Sequence, residues 1–233
     1  MTVRERPMLF NGAMVRAILS GAKTQTRRAI KPQPFEASFL DAPEQYRPSL
    51  DETGLLRVAT PLGVRLLTSP FGQPGDRLWV RESFADLRGT GIEHRPDPAG
   101  PIQRYAYSAD TLAGSDGDHA RKAYGIKWRP SIHMPRWACR LVLEITEVRV
   151  ERLQAISQAD AIAEGLTQAD SGSWLPGPYD YPEWAFHQLW DQVYGESAWD
   201  SNPWVWVVGF RPLEADRHHA ASDTKKETRD GRS

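Results

Sequence analysis

A short polar segment near the start of the chain concentrates side chains that could do chemistry. Residues 21–28 read Gly-Ala-Lys-Thr-Gln-Thr-Arg-Arg, so one lysine, two threonines and two arginines lie within eight positions. An amine can accept a proton, a hydroxyl can attack a carbonyl, and guanidinium groups can hold an anionic or hydrogen-bonding ligand. A turn that leaves a helix has no packing reason to collect these residue types. The segment therefore indicates a functional site.

Further candidate binding residues lie outside this segment. Trp79, Arg81 and Glu82 fall in a predicted strand, where tryptophan could stack on a base and arginine could hold a carbonyl or phosphate. A surface ion pair between Arg81 and Glu82 explains those two residues equally well. His133 lies between two prolines and is a candidate pocket wall, although a lone loop histidine is more often structural.

Composition limits the classes of function that fit the chain. The 233 residues are 40% hydrophobic and carry a formal net charge of -1, so we expect one elaborated domain without a broad positive field. Any contact with nucleic acid must then be local. A small ligand is favoured over a long nucleic-acid backbone as the binding partner. The single cysteine, Cys139, excludes an internal disulfide framework. With no apolar leader or membrane span, a soluble cytoplasmic protein is expected.

The sequence predicts neither a metal site nor a cofactor site. The six histidines show no metal-ligand spacing, and Cys139 has no partner of that kind. A Gly-rich phosphate loop and a serine nucleophile elbow are both missing from the sequence.

The spacing of apolar residues and the positions of glycine and proline predict the helices and strands that position these residues. We expect loop-rich insertions at about 32–70 and 88–125 and a disordered tail over 214–233. A shift of parity near Thr146-Glu147 predicts a bulge that bends its strand. The other expected elements are a helix from Asn11 to Gly21, a strand after Gly75-Asp76, a strand over 140–150, a helix over 157–165, a helix over 186–195 and a strand over 204–210. Short helices among several strands, without regular alternation, predict a compact α+β barrel-like fold.

The order of these motifs resembles the ASCH family. It contains Gly-x-Lys-Thr-x-Thr-x-Arg from Gly21, the Gly-Asp strand, Leu-Val-Leu-Glu-Ile-Thr-Glu-Val from Leu141, Ala-Glu-Gly from Ala163 and a closing strand. The resemblance is spread over roughly 8–30, 72–86, 126–167 and 183–213. It implies a PUA-like fold, a small β-barrel with flanking helices, as a single domain over 1–213 with insertions.

Within this family the chain is similar to small bacterial N4-acetylcytidine amidohydrolases. That similarity implies a catalytic set of Lys23, Thr26 and Glu164, with Arg28 at the final arginine of the motif. The implied activity is removal of an N-acyl group from an N4-acylated cytidine-type nucleoside or base. Two alternatives stay open: a noncatalytic PUA-like module that binds RNA or a modified base, and an ASCH-type ribonuclease. The expected partner is a modified nucleoside or single-stranded RNA.

The chemistry leaves the roles within the set open. Residues three apart point to opposite faces of a regular strand, so Lys23 and Thr26 need a bulge or turn between them. Thr24 is consequently a rival nucleophile, or else a substrate-binding residue. Lys23 must lose its proton to act as a base, which desolvation or the neighbouring arginines could bring about. Glu164 either shuttles protons or pairs with an arginine and only orients it.

Overall fold

The computed structural model describes residues 2–34, 47–60, 63–93 and 102–213. Within them the chain has an α+β fold, which confirms the predicted class. The helices are α1 (Gly12–Leu19), α2 (Asp116–Ala123), α3 (Gln158–Ala163) and α4 (Pro182–Tyr194). The strands are β1 (Glu5–Leu9), β2 (Gln25–Ala29), β3 (Ser49–Leu50), β4 (Leu56–Thr60), β5 (Gly63–Leu67), β6 (Arg77–Arg81), β7 (Phe84–Asp86), β8 (Tyr105–Tyr107), β9 (Val142–Arg152) and β10 (Trp204–Pro212).

The strands of the described residues form three sheets. The largest has five strands in the order β1-β6-β9-β10-β2, and the smaller ones are β3-β4-β5 and β7-β8. In these parts of the chain the large sheet is open, with β1 and β2 as its edge strands, so the closed barrel is not confirmed. Strands β4 and β5 pair antiparallel within the first predicted insertion.

The chain divides into two compact units. The first comprises Met1–Arg6, Ala17–Leu78 and Leu143–Pro212, and the second comprises Pro7–Arg16, Trp79–Val142 and Leu213–Ser233. A single domain over 1–213 stays a prediction. The tail predicted to be disordered, 214–233, lies outside the described residues, as do 35–46 and 94–101 of the two predicted insertions.

In the first unit, β10 forms the centre of the packing. Its residues 204–210 are all buried because the strand is apolar at both parities and lies between β9 and β2. One of its faces carries Val205 and Val207, which pack with residues of α3, α4 and the segments beside them. That hydrophobic cluster is Leu153, Ile156, Ala161, Leu166, Ala185, Phe186, Trp190, Val205 and Val207.

The predicted bulge in β9 is confirmed by the pairing register. Gly209 of β10 lies opposite Glu147, but the next residue, Phe210, lies opposite Ile145, so Thr146 has no cross-strand partner. The extra residue changes the parity of the strand on its two sides. Charged residues C-terminal to the bulge can therefore share the face that α3 covers.

The ends of α1 and α3 agree with the sequence signals. Asn11 accepts a hydrogen bond from the Met14 amide at the start of α1, and Gly21 adopts φ 79° just beyond its end. Ser157 caps α3 by accepting from the Asp160 amide. Glu164 is the C-terminal capping residue of α3, followed by Gly165 at φ 92°. Both chain reversals use the left-handed conformation that glycine adopts at little cost.

Helix α4 begins four residues before the predicted start at Phe186. Pro182 lies in its first turn, where the fixed φ of proline and its missing amide proton suit a helix. Gly195 follows its last residue, as expected.

In the second unit, β7 and β8 pack on a small apolar cluster. Phe84, Tyr107, Met134 and Ala138 form that cluster. The Tyr107 hydroxyl donates to the Ala138 carbonyl at 2.9 Å, so its polar end is satisfied within the cluster.

Replacing Gly165 by alanine is expected to destabilise the first unit more than replacing Gly172 does. Both glycines have positive φ, but a Cβ at 165 would lie 2.9 Å from the Cβ atoms of Ala17 and Lys23, whereas nothing lies within 4 Å at 172. Gly172→Ala should lose about 1 kcal/mol from backbone strain, and Gly165→Ala about 2–4 kcal/mol from strain plus overpacking. Urea unfolding followed by circular dichroism measures both, and equal losses would contradict the close packing of Gly165 on Lys23.

Candidate functional site

Lys23 is held at the point where α1, α3 and β2 meet within the first unit. Its amide donates to the Ala17 carbonyl at 2.9 Å, and the next amide, of Thr24, donates to the Ala163 carbonyl at 2.9 Å. Lys23 also forms an isolated antiparallel bridge with Glu164. The end of each helix thus fixes the backbone from which the lysine side chain extends.

The Lys23 side chain is enclosed and bonded to Glu164. Its Nζ donates to Glu164 Oε2 at 2.7 Å and to the Glu164 backbone carbonyl at 2.8 Å. The exposed fraction is 1% for the lysine side chain and 4% for the glutamate side chain. The structure therefore brings together two of the three residues of the predicted catalytic set, although 141 positions separate them in the sequence.

The surroundings of Lys23 favour loss of its proton. Burial is the largest influence and lowers the pKa of Lys23. Glu164 opposes this through its charge and hydrogen bond, while the charges of Arg28 and Arg27 add to the lowering. The net result is a pKa below 10.5, the ordinary value for lysine. A buried amine with a lowered pKa and a carboxylate at hydrogen-bond distance can transfer protons.

Arg27 contacts the same carboxylate from β2. Its Nη1 donates to Glu164 Oε1 at 3.2 Å, so each Glu164 oxygen has its own cationic partner. The arginine side chain has no exposed surface. It also pairs with Glu151 on β9, and with Asp160 on α3 at 3.3 Å.

Arg149 extends these contacts into an ion network. It donates to Asp160 Oδ1 at 2.6 Å and to Glu151 Oε2 at 3.2 Å. Burial raises the pKa of Asp160, but hydrogen bonds from Arg149 and Ser157 outweigh it and lower the pKa to about 2. We call the set the ion network, and its members are Lys23, Arg27, Arg149, Glu151, Asp160 and Glu164.

The threonines occupy positions that alternate with those of the network. Gln25 and Arg27 both reach towards α3, the first by donating to the Asp160 carbonyl at 2.9 Å. The pairing of β2 with β10 is regular over Gln25–Ala29, so Thr26 takes the opposite face to Arg27. Thr26 is buried, whereas Thr24, two positions earlier, is exposed. The predicted bulge or turn between Lys23 and Thr26 does not occur within the paired residues of β2. Arg28 shares the parity of the two threonines and is half-buried.

The remaining predicted binding residues belong to the second unit. The Arg81 guanidinium lies 5.4 Å from the ring centroid of Trp79, and Arg136 lies 6.0 Å from the same ring. Arg81 also donates to the Ile132 carbonyl. His133 is exposed at the end of a 3-10 turn over Ser131–His133. Trp79 therefore contacts two arginine side chains.

Glu82 is buried against Arg140. The arginine donates to it through Nε at 2.9 Å and Nη2 at 3.1 Å, and it also pairs with Asp110. Burial raises the pKa of Glu82, although Arg140 opposes the rise. The bidentate pair ties the end of β6 to the residues that precede β9, which is a structural role for Glu82.

Sequence reasoning missed four members of the ion network or gave them lesser roles. Arg27 was expected only to influence the lysine, and Arg149, Glu151 and Asp160 were not expected at the site. One signal was present in β9, where Glu147, Arg149 and Glu151 repeat at one parity after the bulge. Charged residues at alternate positions of a strand point to one face of the sheet. When the neighbouring strand is apolar, they indicate a polar contact on that face.

Comparison of the chain with protein-family models, with curated proteins and with solved structures gave no match. Among the described residues, no group of three or more His, Cys, Asp or Glu side chains is arranged to hold a metal ion. No helix in those parts of the chain has the length and apolar character that a membrane span requires.

The lowered pKa of Lys23 predicts that folding stability depends on pH and that Lys23→Met removes this dependence. Between the folded pKa and about 10.4, the unfolded chain binds a proton that the folded chain has released, so folding stability rises with pH. The free energy of unfolding of the wild type minus that of Lys23→Met should therefore increase from pH 7 towards pH 10.

Urea unfolding across this pH range measures the difference. Lys127→Met, at an exposed lysine, is the matched control for loss of an ammonium group. A difference between wild type and Lys23→Met that falls with rising pH would contradict a lowered pKa.

Proposed function

We propose that the protein is an amidohydrolase that removes an N-acyl group from an N4-acylated cytidine-type nucleoside, with Lys23 and Glu164 as its proton-transfer pair. The observation that carries the proposal is the 2.7 Å contact between Lys23 Nζ and Glu164 Oε2 at a position closed to water. The resemblance of the Gly-x-Lys-Thr-x-Thr-x-Arg segment to amidohydrolases of the ASCH family supplies the substrate class.

Amide hydrolysis needs one group that takes a proton and later returns it. In the proposed reaction the neutral Lys23 amine takes the proton of the attacking hydroxyl, and the new oxygen–carbon bond forms at the acyl carbon. Glu164 stabilises the ammonium ion that results, as a carboxylate does for an imidazolium. The ammonium ion then returns the proton to the departing exocyclic nitrogen as the carbon–nitrogen bond breaks. When the attacking oxygen is that of a threonine, the acyl group is left as an ester. Lys23 then takes a proton from water as the water oxygen attacks that ester, and acetate leaves as the threonine oxygen recovers the proton. Burial supports the first step because it lowers the pKa of Lys23.

The resemblance assigns the attacking oxygen to Thr26, and this assignment requires the start of β2 to rearrange so that the Thr26 hydroxyl reaches Lys23. Thr26 is buried in β2 next to Arg27, but it takes the opposite face. In a direct hydrolysis a water molecule would attack instead, with Thr24 and Arg28 left to bind substrate. Either route requires the enclosed Lys23–Glu164 pair to open to the ligand.

The PUA-like architecture is part of the same proposal. It is supported by the antiparallel strands β9, β10 and β2, by the bulge in β9, and by α1 and α3 ending at the site. A small barrel of this kind needs bent strands and short flanking helices.

A noncatalytic module that binds a modified base or single-stranded RNA is the second candidate. The observation that favours it is the contact of Trp79 with Arg81 and Arg136 in the second unit. Two results together would support this candidate over the enzyme. The protein would show no hydrolase activity, and it would bind N4-acetylcytidine or a short RNA in a way that Trp79→Ala abolishes.

Purified protein is expected to convert N4-acetylcytidine into cytidine and acetate, and Lys23→Ala should lower kcat about 10²–10⁴-fold. Glu164→Gln should lower kcat by a smaller factor, because the amine remains but its ammonium form loses its counter-charge. Chromatography of the products measures both variants, with Lys127→Met as a surface control. Unchanged turnover in Lys23→Ala would overturn the assignment of the base.

Thr26→Val and Thr24→Val are expected to separate attack from binding. Valine keeps the shape of threonine but removes the hydroxyl, so Thr26→Val should abolish turnover if its oxygen attacks. Thr24→Val should raise KM and leave most of kcat, since Thr24 is exposed. Mass spectrometry of a stalled acyl-enzyme in the wild type adds a direct check. Full activity of a well-folded Thr26→Val protein would assign the attack to water.

A further inference from the structure

Arg27 connects the Lys23–Glu164 pair to the rest of the first unit. Its side chain is fully enclosed and reaches three carboxylates that come from different parts of the chain. Glu151 belongs to β9, Asp160 belongs to α3, and Glu164 is the residue that ends α3. A planar guanidinium with five donors can serve several carboxylates at once, which an ammonium group on a flexible chain does less well.

The sheet sets the position of Arg27 independently of these ion pairs. Arg27 lies opposite Val207 of β10, which in turn lies opposite Arg149 of β9. The three side chains therefore project from one face of the sheet, the face that the hydrophobic cluster of α3 and α4 covers. The Arg27 guanidinium also lies 5.8 Å from the Phe186 ring centroid. The sheet and the Phe186 ring therefore hold the guanidinium group in place independently of its contact with Glu164.

The contacts of Glu164 divide between two cations. Lys23 holds Oε2 at 2.7 Å and Arg27 holds Oε1 at 3.2 Å. When Lys23 gives up its proton, Oε2 loses a charged partner, but Oε1 keeps one because arginine remains protonated at any physiological pH. The carboxylate therefore keeps one charged hydrogen-bond partner while the amine changes state.

We infer that Arg27 is a positioning residue of this site: it fixes the Glu164 carboxylate against the Lys23 amine by bonding Oε1, the oxygen that the amine does not use, and its charge acts on the amine through this shared contact. Its effect on turnover rests on the proposed function, whereas its effect on the titration of Lys23 does not. The charged groups that influence Lys23 are Glu164, Arg28 and Arg27.

Three variants separate positioning from charge and from stability. Arg27→Gln removes both the charge and the fork, Arg27→Lys keeps the charge alone, and Arg149→Gln removes a neighbouring cation that bonds Asp160 and Glu151. Arg27→Lys keeps the experiment informative if Arg27→Gln does not fold. Circular dichroism and melting temperature report the structural cost of each variant.

The titration of Lys23 is followed by two-dimensional NMR of lysine side chains in the protein without substrate, with Lys23→Arg to assign the signal. Arg27→Gln should move the titration to higher pH, because a cation that disfavours the ammonium form has gone. Arg27→Lys should leave the titration near that of the wild type. Arg149→Gln should lower the melting temperature but leave the titration in place.

Turnover of N4-acetylcytidine is measured against pH in the same variants. Arg27→Gln should lower kcat about tenfold or more with little change in KM, and should move the rising limb of the pH profile upward. Arg27→Lys should lower kcat without moving that limb. A lowered melting temperature in Arg27→Gln, with the titration and pH profile of the wild type, would overturn the inference and leave Arg27 a structural residue. If the wild type has no hydrolase activity, the proposed function fails and the titration alone judges the inference: an upward shift in Arg27→Gln supports the action of the Arg27 charge on Lys23, and an unchanged titration overturns it.

Discussion

A lysine and a glutamate that share one enclosed position constrain the rest of the first unit. Neither Lys23 nor Glu164 can lose its hydration unless the other compensates, since an isolated charge costs several kcal/mol or more to bury in a protein interior. The compensation requires Nζ and Oε2 to meet at 2.7 Å. The backbone bonds of Lys23 and Thr24 to Ala17 and Ala163 hold the ends of α1 and α3 in positions that allow this distance. Gly165 belongs to the same constraint, because only a residue without a Cβ leaves room for the stem of Lys23.

The apolar parts of the unit supply the conditions under which this pair can act. Strand β10 is buried throughout, and the cluster of α3 and α4 covers the face from which Arg27 projects. Exclusion of water from this face strengthens the electrostatic contacts within it and also makes any unpaired charge costly. Burial therefore explains two properties together. It lowers the pKa of Lys23, and it requires that both oxygens of Glu164 be bonded, which Arg27 accomplishes.

The sequence predicted the local features of the fold better than its distant contacts. Gly21, Ser157 and Gly165 marked helix ends through conformations that depend on the residue itself, and the parity shift at Thr146 marked the bulge. Lys23 and Glu164 were paired through a resemblance rather than through any local signal. The contact between Arg27 and Glu151 spans 124 positions and depends on β10 lying between their two strands, which no periodicity encodes.

Ion pairs as enclosed as those of the ion network contribute little net stability to a fold. Replacing a buried ion pair by apolar residues of similar volume is often neutral or stabilises a protein by about 1–4 kcal/mol, so folding alone gives little reason for three enclosed or half-enclosed cations on one face. Here desolvation exceeds the attraction of Glu164, and the amine is held in a state that favours release of its proton. Arg27 makes that state tolerable, because it keeps the carboxylate bonded whether or not Lys23 is charged.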